Sequence, residues 1–446
     1  MQLGRYSPPK EVSPTQAGNM GGGKGKIPAV SMGVDSNSAY NVYAKEKKAS
    51  SSSELKLQSL EVPQVVGYRE SWRDAAYLRS LIKRYHMQPN FRNLLDCHHS
   101  PIGGDGELHK SKVTVGSYVP EHVCGNPHVC PICAPRIAAK RGEYIKNAVH
   151  SIVSSGAFVY LLTLTFSHHA NESIRNTIHD MADCKNRLFA DRQVKRLLNG
   201  CGSLGRVTTF EFRYGSNGVH PHYHILLVTR SPLPLQSNDA ENEMDYAAQS
   251  AESILKDAWK RVCSLNSRTC SEANGLDVEL ATTAGVADYC TKISHEMVSS
   301  QIKQGRAGAS FSFLQMLRYC RIQYNQGDRE GLESMERVLI DLMLGSKGVR
   351  SVCISHKLYT EFGLQPMAPD EELADESAEA EAEAVRTFNY DLAQAKGVLE
   401  ANGRAVIRYC PIEDTISMFE DAGVPMFGKP PYLPDYMSVK DDDVPF

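Results

Sequence analysis

The stretch RVTTFEFRYGSNGVHPHYHILLVT, residues 206–229, is two β-prone runs around GSNG, the signature of a β-hairpin. Side chains on a strand alternate between faces, so His220, His222 and His224 share one face, and Tyr223, Ile225 and Leu227 share the other. A hairpin closed by GSNG at 215–218 pairs Tyr214 with Val219, and therefore Glu211 with His222 and Thr209 with His224. The spacing thus predicts a His-His-carboxylate set, Glu211, His222 and His224, on one sheet face. Such a set holds a divalent cation, Mg²⁺ or Mn²⁺, and keeps positions open for substrate oxygens. His220, nearer the turn, is either a further ligand or a substrate contact. Two histidines in alternation on a strand often only hydrogen-bond on a half-exposed sheet; the opposed carboxylate is what favours a metal.

The surrounding pattern is that of an α+β domain, a central antiparallel sheet with flanking helices. Helical spacing runs from about Tyr68 to Met87 and through the basic segment after Cys133 to about Val153. AFVYLLTLTF (157–166) reads as a strand, 173–198 as a helix, the hairpin follows, and 243–265 is an amphipathic helix. LDVELAT is a short strand, 284–299 a helix, and two more helices fit 312–323 and 329–344. Residues 97–133 read as loop. The organisation expected is a disordered segment 1–60, a helix and cysteine segment 61–155, a catalytic-type domain 156–350, an extension with an acidic, solvated linker 351–385, and a C-terminal segment 386–446 of unassigned role.

The cysteines supply a second centre. Cys130-Pro-Ile-Cys133 is a CxxC knuckle of the kind that wraps zinc; Cys124 precedes it and Cys97 is the expected fourth thiolate, with His98, His99, His122 and His128 as alternatives. Four thiolates close the coordination shell, which marks a structural Zn²⁺. The redox reading of CxxC requires a thioredoxin-like βαβ setting that this segment lacks.

Charge is uneven along the 446 residues: 370–446 carry 6 Lys/Arg against 18 Asp/Glu, leaving 43 against 34 in residues 1–369. A basic body suits an anionic partner, and Arg136, Lys140, Arg141 and Lys146 on the helix after the knuckle are the candidates for phosphate contacts. No apolar run approaches the roughly 20 residues that cross a membrane. A cytoplasmic location, where thiols stay reduced, is the expectation.

In this order the pieces resemble the replication initiators of rolling-circle plasmids, the Rep type within the HUH endonuclease superfamily. CGNPHVCPICAPRIAAKRG is similar to that family's zinc knuckle and its basic follow-on helix, YLLTLTF to its first motif, HPHYHILL to its second, and DYCTK (288–292) to its third. The likeness covers roughly residues 90–350. It implies an enzyme that nicks one strand of single-stranded or cruciform origin DNA, keeps the 5′ phosphate on Tyr289, leaves a 3′ hydroxyl primer, and works with host helicase and replication proteins. Lys292, one helical turn on from Tyr289, is implied to steady the phenolate or the phosphate. Gly285 stands where the branch with this histidine motif has a glutamate that directs water to end replication; Asp288 lies next to the tyrosine and Glu296 two turns along its face. Relaxases and single-strand transposases share the histidine pair and tyrosine but usually lack the upstream cysteine knuckle. A zinc-containing DNA-binding protein without catalysis predicts loss of His222, His224 or Tyr289, and all three are present.

Overall fold

A computed structural model describes residues 63–102, 104–235, 250–280, 310–375 and 382–428. Helix α1 (Pro63–Arg84) and the short α2 (Arg92–Asp96) lead into strands β1 (Gly106–Lys110) and β2 (Ser117–Tyr118). Helix α3 (Cys133–Ser154), β3 (Phe158–Leu164), α4 (Ile174–Ala190) and α5 (Arg192–Gly200) precede the hairpin β4 (Ser203–Gly215) and β5 (Gly218–Thr229). Then come α6 (Ala251–Leu265), β6 (Leu276–Leu280), β7 (Ser310–Phe311), α7 (Phe313–Gln326), α8 (Leu332–Ser346) and β8 (Val352–Ile354). The chain continues through α9 (His356–Phe362), α10 (Asp370–Ala374), β9 (Glu383–Phe388), α11 (Tyr390–Ala395), α12 (Ala401–Tyr409), α13 (Ile412–Asp421) and β10 (Met426–Phe427).

The described strands form two antiparallel sheets with flanking helices, so the α+β expectation holds. The larger has the order β6-β3-β5-β4-β7, with β8 also paired to β4. Its strands are rich in Val, Leu, Ile, Phe and Tyr on both faces, so both faces must be covered. Tyr160, Leu162, Leu164, Phe210, Phe212, Tyr223, Ile225 and Leu227 lie in one core with Ile178 and Met181 of α4 and Leu255 and Trp259 of α6. Across the sheet, Val159, Leu161, Val207, Leu226 and Val228 pack with Ile145, Val149 and Ile152 of α3 and Leu358 of α9. That second apolar cluster ends on β5 at Leu226; the next residues of the same parity are His224, His222 and His220. The histidine face is therefore the continuation of a face whose other half α3 and α9 cover.

The second sheet has the order β10-β9-β1-β2. It joins the expected loop 97–133 to the C-terminal segment, burying Leu108, Val119, Phe388, Ile407, Ile412 and Phe419 together. Beside it Glu121 is fully buried and accepts from Arg404 Nη1 at 2.7 Å, from Arg404 Nη2 and from the Tyr390 hydroxyl. The Arg404 guanidinium also lies 4.5 Å over the Trp72 ring of α1.

Three expectations differ from the structure. Residues 97–133 are not all loop, because β1 pairs with β9, a strand distant in sequence and invisible to local pattern. The helix expected over 173–198 is two helices: Asp191 leaves the helix and its carboxylate accepts from the backbone N–H groups of Gln193 and Val194, capping α5. The acidic run does not begin as a solvated linker. Its first turn, α10, docks on α3, with Ala374 fully buried and Asp370 paired to Arg141. The expected disordered segment 1–60 and the helix 284–299 lie outside the described residues.

Burial alone would raise the Glu121 pKa; Arg404 and His98 outweigh it and hold the carboxyl at about 2. Glu121→Gln leaves Arg404 buried without its counter-charge, and a loss of about 3–5 kcal/mol in chemical denaturation is expected. The wild-type advantage should be full above the unfolded carboxyl pKa of about 4.3 and fade as the pH falls toward 2.

Candidate metal centres

The cysteine centre is built by three elements. Cys97 follows α2, Cys124 and Cys130 lie in the loop before α3, and Cys133 is the first residue of α3. Gly125, at φ +57°, turns the backbone tightly between Cys124 and Asn126. The sulfurs of Cys97 and Cys133 are 3.4 Å apart, those of Cys124 and Cys133 3.6 Å, and those of Cys97 and Cys130 3.8 Å. A tetrahedral zinc with Zn–S bonds of about 2.3 Å needs sulfurs about 3.8 Å apart, so the set fits that metal with little adjustment. Backbone N–H groups of Cys124, Asn126 and Cys133 each donate to a cluster sulfur at 3.4 Å, the support thiolates need. Hydrogen bonds from the Cys124, Cys130 and Cys97 thiols pull the Cys133 thiol well down, whereas Cys130 and Cys133 push the Cys124 thiol up. A divalent metal is what lets all four sulfurs ionise together. Among the described residues this is the one group of three or more His, Cys, Asp or Glu whose ligand atoms all lie within 4.8 Å of one another. Of the alternative histidines, His128 Nε2 bonds the Val349 carbonyl at 2.9 Å, and His98 Nδ1 lies 3.5 Å from Glu121.

On the larger sheet, β4 and β5 pair Tyr214 with Val219, Arg213 with His220, Glu211 with His222 and Thr209 with His224. This is the register expected from the sequence, although the turn itself is only Ser216-Asn217 because Gly215 and Gly218 also pair. Gly218 sits at φ +86°, where a Cβ would come 3.0 Å from the His169 carbonyl, so a glycine is required for the hairpin tip to meet the loop after β3. His224 Nε2 lies 3.4 Å from Glu211 Oε2, and Arg213 Nη1 3.9 Å from Glu211 Oε1. The His222 and His224 rings are parallel with centroids 6.2 Å apart; those of His220 and His222 are 4.0 Å apart, edge to face. Burial, then the neighbouring His220 and His224 rings, holds the His222 pKa well below its usual range, and burial with His168 brings His220 to about 4. Imidazole nitrogens beside a buried carboxylate are donors suited to a divalent cation. The backbone register makes Glu211, His222 and His224 neighbours, but their ligand atoms do not all lie within 4.8 Å of one another as those of the cysteines do.

The register also exposes residues that the sequence reading missed. Thr163 pairs with both His224 and Asp277, so Asp277, Thr163, His224 and Thr209 form a polar row across four strands. Thr163 Oγ1 lies 3.2 Å from His224 Nδ1. His168, in the loop after β3, contacts His220. LDVELAT was legible as a strand, but its partner and register were not.

Tyr289 and Lys292, with Gly285, Asp288 and Glu296, lie outside the described residues. Of the basic residues on α3, Arg141 is buried, bonded to Asp370 and Ser351; Lys140 Nζ donates to the Asp375 carbonyl at 3.1 Å and Arg136 to the Ala374 carbonyl at 3.4 Å. Lys146 is exposed.

Residues 119–237, from the knuckle to just past the hairpin, match the family model described as "Replication protein", Rep_1. This stretch is similar to a replication-protein domain. Two curated proteins are also similar to this chain. A "Neomycin resistance protein" of Streptomyces cyanogenus is 24% identical over 168 residues, 31% of this chain and 38% of that protein. A "Protein rep" of Streptomyces lividans is 25% identical over 132 residues, 24% of this chain and 29% of that protein. The chain thus spans well under half the length of these relatives. No solved structure matches it. The resemblance to plasmid replication initiators is borne out at this level, and the matched replication-protein domain contains Cys124, Cys130, Cys133 and the whole histidine hairpin. No helix among the described residues is long and apolar enough to cross a membrane.

Elemental analysis of the purified protein is expected to find about one zinc per chain. Cys130→Ser should lose it and melt earlier, because structural zinc contributes directly to folding. A zinc-free wild type that melts like the variant would contradict the assignment.

Proposed function

We propose that the chain is a rolling-circle replication initiator: it nicks one DNA strand at an origin, holds the 5′ phosphate on Tyr289 and releases a 3′ hydroxyl that primes synthesis. The observation that carries this reading is the pairing of Glu211 with His222 and Thr209 with His224 on one sheet face, inside a domain that matches a replication-protein family. In this reading the larger sheet is the HUH-type endonuclease domain, 156–350, and the cysteine group is a structural Zn²⁺ knuckle within 61–155. Residues 1–60, 351–385 and 386–446 flank them.

His222, His224 and Glu211 would hold the catalytic Mg²⁺ or Mn²⁺, with His220 as a further donor. Bound there, the cation supplies polarisation of the scissile phosphate. The chain's own groups do the rest. The Tyr289 hydroxyl, with an ordinary pKa near 10, is a weak nucleophile until it loses its proton. Its oxygen bonds to phosphorus as the bond to the 3′ oxygen breaks, and the 3′ oxygen takes up a proton. Lys292 would steady the phenolate or the phosphate. The neutral His220 and His222 rings keep lone pairs free for this work near neutral pH, since protonation would cost both burial and repulsion.

Single-stranded or cruciform origin DNA is the partner. Lys146 is open for a phosphate contact, while contacts from Arg136 and Lys140 would have to replace their bonds to the Ala374 and Asp375 carbonyls. Arg141 is held by Asp370 and would follow only if α10 moved.

Tyr289→Phe removes one oxygen and little packing. The variant is expected to fold and bind a labelled origin oligonucleotide like wild type, yet give no protein-linked band on a denaturing gel. His222→Ala should abolish cleavage as well. A protein-linked band from Tyr289→Phe, or full cleavage by His222→Ala, would overturn the assignment.

A further inference from the structure

We propose that His168 is a positioning residue that holds His220 in its Nδ1-protonated form, leaving His220 Nε2 as a bare donor on the histidine face. The inference follows from counting protons along one chain of hydrogen bonds. His168 Nδ1 lies 2.7 Å from the backbone oxygen of Asn217 at the hairpin tip. A carbonyl only accepts, so His168 Nδ1 carries the proton. In a neutral imidazole the other nitrogen then has only a lone pair. That nitrogen, His168 Nε2, is bonded to His220 Nδ1, so the proton between them belongs to His220. A neutral His220 with its proton on Nδ1 has an unprotonated Nε2.

The fold holds this chain in place from both ends. The loop carrying His168 is pinned by its neighbour Ser167, whose N–H donates to the Thr269 carbonyl at 2.7 Å. The hairpin tip is pressed onto the same loop at Gly218, where a Cβ would come 3.0 Å from the His169 carbonyl oxygen. The His168 and His220 rings lie with centroids 4.4 Å apart, and His220 in turn packs edge-on against His222. His168 stands four residues beyond Leu164, the last residue of β3, outside the hairpin, and brings a backbone carbonyl of the turn to bear on the tautomer of the strand histidine. Ligating histidines elsewhere are oriented by the same device, a partner on the nitrogen that does not bind. The tautomer stands apart from the divalent-cation reading of this face; the expected effect on Mn²⁺ affinity rests on that reading, with His220 as a ligand.

Two measurements on the full chain test it separately. Long-range ¹H–¹⁵N spectra of metal-free, ¹⁵N-histidine-labelled protein, with His220 assigned by its absence in His220→Gln, read the tautomer directly. The expected pattern is Nδ1–H for His220; an Nε2–H or doubly protonated His220 would overturn the proposal, whatever the face binds. Mn²⁺ titration without DNA is the second readout. His168→Phe keeps a ring but offers no acceptor, and should weaken Mn²⁺ binding tenfold or more. His168→Gln, whose amide can donate to Asn217 and accept from His220, should recover most of the affinity. Unchanged affinity in His168→Phe would overturn the proposal. A wild type that binds no Mn²⁺ beyond the level of His222→Ala would overturn the cation reading instead, and the spectrum would still decide the tautomer.

Discussion

The pairing register of β4 and β5 is the constraint on which the rest depends. Side chains on a strand have a period of two, so a slip of one residue exchanges the faces of the whole strand. On β5 it would put three imidazoles into the core beside α4 and α6 and carry Tyr223, Ile225 and Leu227 out of that core. Each large apolar side chain left in water forfeits about 1.5–3 kcal/mol, and each imidazole buried without a partner adds a comparable cost. The two-residue turn and the glycine at Gly218 hold the same register from the other end. Core formation and site formation are thus one event: the packing that buries Tyr223 and Ile225 is what sets His222 and His224 against Glu211 and Thr209.

Helix α3 links the two centres. Its first residue, Cys133, belongs to the thiol group, and its later turns, through Ile145, Val149 and Ile152, cover the apolar half of the sheet face that continues into the histidines. A metal holding the cysteines fixes the start of this helix. The far side of the cysteine loop is fixed by the second sheet and by the buried Glu121–Arg404 pair, so residues near both ends of the described chain brace the same knuckle. Docking of α10 on α3 occupies Arg141 and borders Arg136 and Lys140, which makes this helix a structural joint as much as a charged surface.

How much of this was legible in the sequence depended on whether the signal was local. The hairpin register could be read in advance because turn length and strand parity are properties of adjacent residues, and Glu211 came opposite His222 as that arithmetic requires. The CxxC spacing marked Cys130 and Cys133, with Cys124 just before them and Cys97 as the expected fourth, and the structure brings those four together. The β1–β9 pairing was not legible: GELHK and EAVRTF are short, half-buried and far apart in sequence, and neither carries a turn. Asp191 was read as one more polar position in a helix because its capping role depends on backbone that has already bent. His168 and Asp277 were missed for a related reason: they reach the histidine face from a loop and a strand whose register no local rule supplies.

The most direct test of the central claim is an anomalous-scattering crystal structure of the full chain soaked with Mn²⁺. The account predicts a manganese peak on the face of β4 and β5, bonded to ring nitrogens of His222 and His224 and to an oxygen of Glu211, separate from a zinc peak among Cys97, Cys124, Cys130 and Cys133. A structure with the zinc peak present, the same β4–β5 register, and no manganese on the histidine face at saturating Mn²⁺ would contradict it.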